Sequence, residues 1–159
     1  MDEEAVINSI ESLTLRRYPT LLVLQGKSHS YSPQSILNIG KRCHLDCIDF
    51  EAQMVRKDTS PLHIWDFPRG HFSEWLLDEA RKRKGIIVFH IGTMVATWND
   101  EDRTHFFKNF LKSEVKVDAV KVPIVLFCEK SVTGVYRKSS DVEGLGLIID
   151  LDQQDDGGE

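Results

Sequence analysis

The sequence predicts an α/β fold of three layers, in which a mainly parallel five-stranded sheet lies between two layers of helices. Two observations support this prediction. Strand-like apolar runs alternate with helical segments, and the runs are apolar at nearly every position. Strands with apolar side chains on both faces are typical of a parallel sheet that helices cover on both sides. We expect one α/β domain over residues 1–151 and a disordered acidic tail over residues 152–159.

Composition and charge narrow the possible functions. Hydrophobic residues make up 41% of the 159 residues and charged residues 28%, as in ordinary globular proteins. The formal net charge of −5 argues against general binding to nucleic acid, because Lys and Arg supply most of that affinity. No apolar run reaches the roughly 18 to 20 residues that span a bilayer, and the start of the chain is acidic. We therefore expect a cytoplasmic protein without a membrane segment, and reduced cysteines.

The first third of the chain predicts two helices and two strands. Residues 3–15 carry apolar side chains at helical spacing after an acidic first turn, which favours a helix. TLLVLQ at residues 20–25 is a continuous apolar strand, and LDCIDF at residues 45–50 is a second strand. Between them, Ser32 suits the N-cap and Pro33 the first turn of a short helix.

The rest of the chain continues the alternation. Residues 51–61 are polar and predict a loop or a short helix, and LHIWDF at residues 62–67 is a candidate for an additional strand. The remaining predicted elements are a helix at 73–84, a strand at 86–91, a helix at 100–112, and strands at 121–128 and 144–152. A polar connection joins the last two strands.

The loop after the first strand bears most directly on function. Ligands of open parallel sheets bind beyond the carboxyl ends of the strands, and this loop has the length and flanks of a Walker A loop, G-x-x-x-x-G-K-[ST]. Counting from Gly26, the second glycine position falls on Tyr31, the lysine on Ser32 and the Ser/Thr on Pro33. All three positions lack the required residue, so we expect a vestigial nucleotide or anion loop. Its residues are Gly26, Lys27, Ser28, Ser30 and Ser32.

The strand at residues 86–91 departs from the Walker B pattern in a similar way. A Walker B strand ends in an Asp that holds Mg²⁺, and IIVFHI places His90 there, although hard cations prefer oxygen ligands. We therefore lean towards a protein that is not an enzyme, with no catalytic residue, metal site or cofactor, and with ATP and Mg²⁺ as the alternative. His90, Glu129 and Lys130 are further candidates on the rim of strand ends. A buried core imidazole is the competing interpretation of His90.

Three sequence features carry a resemblance to a known family. LLVLQGKS, ATWND and YRKSS…LIIDL, within residues 18–151, are similar to the small P-loop protein of BREX phage-exclusion systems. The chain thereby resembles the AAA and RecA-like side of the P-loop NTPases. The resemblance implies a P-loop NTPase-like topology, with the strands at 20–25, 86–91 and 121–128 in the places of the Walker A, Walker B and sensor-1 strands. It also implies an accessory component of a bacterial defence complex that contains DNA-modifying or DNA-binding subunits.

We therefore expect a non-catalytic P-loop-like accessory protein that assembles with partner proteins in a phage-defence or DNA-related complex. Two alternatives remain open. One is an ATPase with an unorthodox Walker A loop, which an arginine such as Arg137 completes in trans. The other is a RecA-like DNA-repair accessory subunit that contacts DNA through basic helix ends. The candidate partner-binding residues are Trp98, which we expect to be exposed, Arg81, Arg83 and Arg137.

Overall fold

The computed structural model describes residues 3–26, 30–57, 69–137 and 146–152. Within these ranges the strands are β1 (Thr20–Gln25), β2 (Asp46–Asp49), β3 (Ile86–Phe89), β4 (Lys116–Val117), β5 (Val120–Lys121), β6 (Ile124–Glu129) and β7 (Leu147–Asp150). The helices are α1 (Glu3–Ser12), α2 (Pro33–Cys43), α3 (Phe50–Lys57), α4 (Arg69–Arg83), α5 (Gly92–Ala96), α6 (Asp100–Phe110) and α7 (Lys130–Arg137).

Five of the strands form one parallel sheet in the order β2-β3-β6-β1-β7. β1 lies inside the sheet, where Leu22 is opposite Leu126 of β6 and Ile148 of β7. On the other side of β6, β3 pairs with β2 at the edge. The predicted α/β class and the mainly parallel five-stranded sheet are therefore confirmed.

Helices cover both faces of the sheet because alternate side chains of each buried strand point to opposite faces. Leu21 and Val23 of β1 pack into a core with the apolar faces of α1 and α2. Leu22 and Leu24 point the other way, into a larger core that α3 to α6 share. Two separate cores around one sheet explain why the strand sequences are apolar at consecutive positions. None of the helices in the described part of the chain combines the length and apolar character that a membrane crossing requires.

Some helix boundaries differ from those that the sequence predicts. α4 begins at Arg69, so Ser73, the first residue of the helix predicted at 73–84, lies within the helix. The polar segment after β2 begins as the helix α3. The candidate strand at 62–67 and the tail residues 153–159 lie outside the described residues.

Two short helices and a hairpin are absent from the sequence prediction. The connection that we predicted to be polar begins with α7, whose Gly134 and β-branched residues have low helix propensity. Packing overrides that propensity, since Thr133 is buried. β4 and β5 form an antiparallel hairpin whose turn residues, Asp118 and Ala119, both have positive φ, a turn that sequences usually mark with Asn or Gly. α5 is a helix of five residues, too short to show a periodic pattern.

Candidate functional site

Two hydrogen bonds join described residues at the ends of the loop after β1 and at the start of α2. The Tyr31 backbone N–H donates to Gln25 Oε1 at 2.7 Å. The predicted N-cap of α2 is confirmed, because the Ser35 N–H donates to Ser32 Oγ at 3.2 Å. The Ser32 hydroxyl and one N–H group of the helix start are thus already paired with each other. Ser30 is exposed, and Lys27 and Ser28 lie outside the described residues.

The carboxylate of Asp152 lies beside Gly26. The Asp152 side chain lies so close to Gly26 that a Cβ atom on this glycine would collide with both carboxylate oxygens. Asp152 follows β7, the strand that pairs with β1 on one side, so the pairing brings it to this point. A negative side chain against the first glycine of the loop disfavours a phosphate group there, since like charges repel.

A lysine on the other side of β1 balances this carboxylate in part. Lys130 is the first residue of α7, directly after β6. Its Nζ lies 3.1 Å from the Asp150 carboxylate and 3.5 Å from Asp152 Oδ2. Asp150 is 8% exposed, and its Oδ1 also accepts the Asp152 backbone N–H at 3.1 Å. The ammonium group of Lys130 is therefore held by two carboxylates across the end of β1.

A cavity of about 310 Å³ lies beyond the carboxyl ends of β2, β3 and β6. These loops share one rim, as expected for neighbouring parallel strands. The structure thus brings together two of the predicted rim residues, His90 and Glu129. The residues that line the cavity are Glu51, His90, Gly92, Thr93, Ala96, Glu129, Ser131 and Val132.

His90 is not a residue of the strand, which corrects the predicted strand at 86–91. β3 ends at Phe89, and His90 follows with a left-handed φ of 61°. Its Nδ1 lies 3.0 Å from Asp49 Oδ1, and the imidazole side chain is 40% exposed. The same Asp49 oxygen accepts the Ala52 N–H at 3.1 Å. The competing interpretation of His90 as a buried core imidazole is therefore wrong.

Glu129 points into the cavity because Gly92 has no side chain. A Cβ atom at Gly92 would collide with Glu129 Oε2. Neither Glu129 nor Glu51, the other acidic residue of the lining, has a hydrogen-bond or ion-pair partner for its side chain within the described part of the chain. Among the described residues, no group of three His, Cys, Asp or Glu side chains could hold a metal ion.

The expectation that Trp98 is exposed is wrong. Trp98 is 6% exposed, and its ring centroid lies 5.3 Å from that of Phe106 and 6.2 Å from that of Phe72. The polar neighbours that suggested exposure have another role. Asn99 is the N-cap of α6 and its side chain accepts the Asp102 N–H at 2.8 Å.

The arginines proposed for partner binding differ in their surroundings. Arg83 Nε lies 2.9 Å from Oε1 of the buried Glu79, and Arg83 Nη1 lies 3.2 Å from Asp46 Oδ2 on β2. The hydrogen bond to Glu79 is the main cause of the raised pKa of Arg83. Arg81 pairs at 3.0 Å with the exposed Asp78. Arg137 ends α7, and its side chain lies outside the described residues.

The three cysteines are free thiols. Burial is the main cause that raises the pKa of Cys43 and of Cys47 to about 11, and it raises the pKa of the fully buried Cys128 well above its ordinary value. A thiol with such a pKa is a poor nucleophile at neutral pH, because the thiolate is the reactive form.

Sequence reasoning did not single out Asp150, Asp152 or Gly92. The rule that ligands bind beyond the carboxyl ends of parallel strands marks Asp152, since it is the last residue of the strand predicted at 144–152, and the observed β7 ends at Asp150. No sequence signal marks Gly92, because its role depends on the position of Glu129.

The fold defines the class of this protein as α/β, with a parallel sheet flanked by helices. Comparison of the chain with protein-family models, with curated proteins and with solved structures finds no match.

Proposed function

We propose that this chain is a non-catalytic, P-loop-like accessory protein that assembles with partner proteins in a bacterial phage-defence or DNA-related complex. The observation that carries the non-catalytic part is the carboxylate of Asp152 against Gly26. In a working phosphate loop, backbone N–H groups and a lysine hold a phosphate, and a carboxylate beside the first glycine of the loop would repel it.

The charges around the loop support the same proposal. Lys130 follows β6 and lies near the end of β1, where its ammonium group pairs with Asp150 and Asp152. A nucleotide would have to displace Asp152, and it would then meet Asp150, which is buried beside β1. The displacement of Asp152 and the repulsion by Asp150 both oppose the binding of a triphosphate.

The arrangement of strands is consistent with a P-loop-like topology. β1, β6 and β3 are adjacent in the sheet, and they contain the segments that the resemblance relates to the Walker A, sensor-1 and Walker B strands. At the Walker B position His90 is paired with Asp49. The remaining role for such a domain is assembly, and the resemblance to the BREX protein assigns this assembly to a defence complex.

Isothermal titration with ATP and Mg²⁺ tests the non-catalytic part. We expect no saturable binding to the wild-type chain. Micromolar binding would reject the proposal and favour the ATPase alternative. A chain with Asp150→Asn and Asp152→Asn is the informative companion, because removal of both carboxylates reduces the repulsion. If this variant alone binds ATP, the carboxylates are the cause of the lost affinity.

Affinity capture from the native host, followed by mass spectrometry, tests assembly. The capture is repeated after nuclease treatment, so that a partner bound directly is distinguished from one bridged by DNA. We expect a specific partner protein that remains after the treatment. Capture of no specific protein would contradict the proposal. Salt-dependent binding of the purified chain to duplex or single-stranded DNA would instead favour the recombination-type alternative.

A further inference from the structure

The geometry points to the cavity beyond β2, β3 and β6 as a docking site for one arginine side chain of a partner protein. This inference rests on the proposed assembly function and specifies the chemistry of one contact. The volume of about 310 Å³ is at the lower end of the range for ligand sites, roughly 300–1,000 Å³, so the cavity suits one side chain better than a nucleotide.

The charge of the cavity favours a cation. Glu51 and Glu129 line it from two different strand ends, and both carboxylates are without a partner in the described ranges. The lining contains no lysine or arginine. Lys130, the neighbour of Glu129 in sequence, is directed to Asp150 and Asp152 and does not neutralise the cavity.

The other lining groups suit the shape of arginine. Thr93 and Ser131 bring hydroxyl groups, which accept hydrogen bonds from N–H donors, and Ala96 and Val132 bring apolar surface for the aliphatic part of the side chain. A guanidinium group has five N–H donors and binds a carboxylate through two parallel hydrogen bonds.

The wall of the cavity leaves space for the Glu129 carboxylate and holds the His90 side chain. Gly92 leaves the space in which the Glu129 carboxylate lies, and the contact of His90 Nδ1 with Asp49 Oδ1 at 3.0 Å holds His90 at the wall of the cavity. A divalent cation suits the site less well, because the described residues contain no set of three metal ligands.

The test is a titration followed by ¹⁵N–¹H correlation spectra. The probe is N-acetyl-L-arginine amide, and the matched control probe is N-acetyl-L-citrulline amide, which has the same shape without the charge. We expect saturable shifts at the amides of Thr93 and Ser131 with the arginine probe alone. Glu51→Gln combined with Glu129→Gln should weaken binding at least about tenfold. Glu74→Gln, which removes an exposed carboxylate of α4 outside the cavity lining, should leave the affinity unchanged.

Four outcomes would overturn the inference: no saturable shift, an equal response to the citrulline probe, unchanged affinity of the double variant, or equivalent shifts with Mg²⁺. The spectra also report whether each variant is folded. Failure of the proposed function is a separate result. If a partner is captured equally well by the wild type and the double variant, assembly stands and the arginine site is wrong. If no partner is captured, the titration still decides whether the cavity binds a guanidinium group.

Discussion

The carboxylate of Asp152 lies directly against Gly26, at the point where β1 ends and its loop begins. This glycine does not have a left-handed φ, which among the described glycines is found at Gly85. Its small size is what the structure uses, because a side chain at this position would occupy the space of the carboxylate. A residue that first suggests a phosphate-binding turn therefore serves the contact between β1 and the end of β7.

Gly26→Ala should destabilise the fold by about 1 kcal/mol, because the added methyl group must displace Asp152 from Gly26. Urea unfolding measures the change. Gly70→Ala is the control, since a Cβ at Gly70 meets nothing within 4 Å and Ala favours the helix. We expect Gly70→Ala to be neutral or stabilising by up to about 1 kcal/mol. Equal losses from the two substitutions would contradict the steric explanation.

Lys130→Ala should cost about 2 kcal/mol, because it removes the ammonium group that lies 3.1 Å from the buried carboxylate of Asp150. Lys112→Ala, at an exposed lysine after α6, should stay within about 0.5 kcal/mol of the wild type. Chemical denaturation of both variants gives the comparison. Addition of Asp150→Asn to Lys130→Ala should recover part of the loss. If the second substitution recovers nothing, the ion pair is not the source of the effect.

Arg81 and Arg83, two of the paired arginines of α4, should respond differently to truncation. Arg83→Ala should destabilise by about 1–2 kcal/mol, because it removes the closer of two cations beside the buried Glu79, the other being Lys82 at 3.6 Å, and the link to Asp46. Arg81→Ala breaks an exposed pair with Asp78 and should cost less than about 0.5 kcal/mol. Thermal or urea unfolding decides between them. Similar stability of the two variants would show that the contact of Arg83 with Glu79 contributes little to the free energy of unfolding.

The cysteines should make stability depend on alkaline pH. Folding raises the pKa of Cys43 and Cys47 from 9.0 to about 11, so the unfolded chain loses these protons first as the pH rises. Their contribution to stability is therefore constant at neutral pH and decreases as the pH rises from about 9 to about 11. Urea unfolding at several pH values tests this, with Cys43→Ala combined with Cys47→Ser as the comparison.

Thiol labelling provides an independent measurement of the same property. At pH 8 the native Cys43 and Cys47 should react with a disulfide reagent on the order of 100-fold more slowly than in the unfolded chain, because little thiolate is present. Cys128, which is fully buried, should react after unfolding. Rapid reaction of the native protein at pH 8 would contradict the raised pKa values.

Much of the fold could be predicted from the sequence, because burial on both faces leaves a strong pattern. β1 and β6 are apolar at nearly every position, and the capping residues Ser32 and Pro33 begin α2 as predicted. The hairpin and α7 could not be predicted in this way. Their local sequences have weak propensity, and packing against the rest of the molecule determines their conformation.

The candidate site was predictable in location and less so in detail. His90 and Glu129 lie on the rim that parallel strands imply. The contact of Asp152 with Gly26 could not be predicted, because it joins residues far apart in the sequence through the pairing of β7 with β1. Trp98 shows a different limit, since the polar residues beside it cap a helix and do not indicate exposure.

The position of β1 inside the sheet has a consequence for biosynthesis. Both of its hydrogen-bonded neighbours, β6 and β7, follow it by roughly 100 positions or more, and such long-range pairing is slow to form. The apolar segment of Leu21 to Leu24 therefore has no sheet partner until most of the chain has emerged from the ribosome. A nascent chain stalled before β6 should expose this segment to chaperones, whereas a chain that extends beyond β7 should bury it.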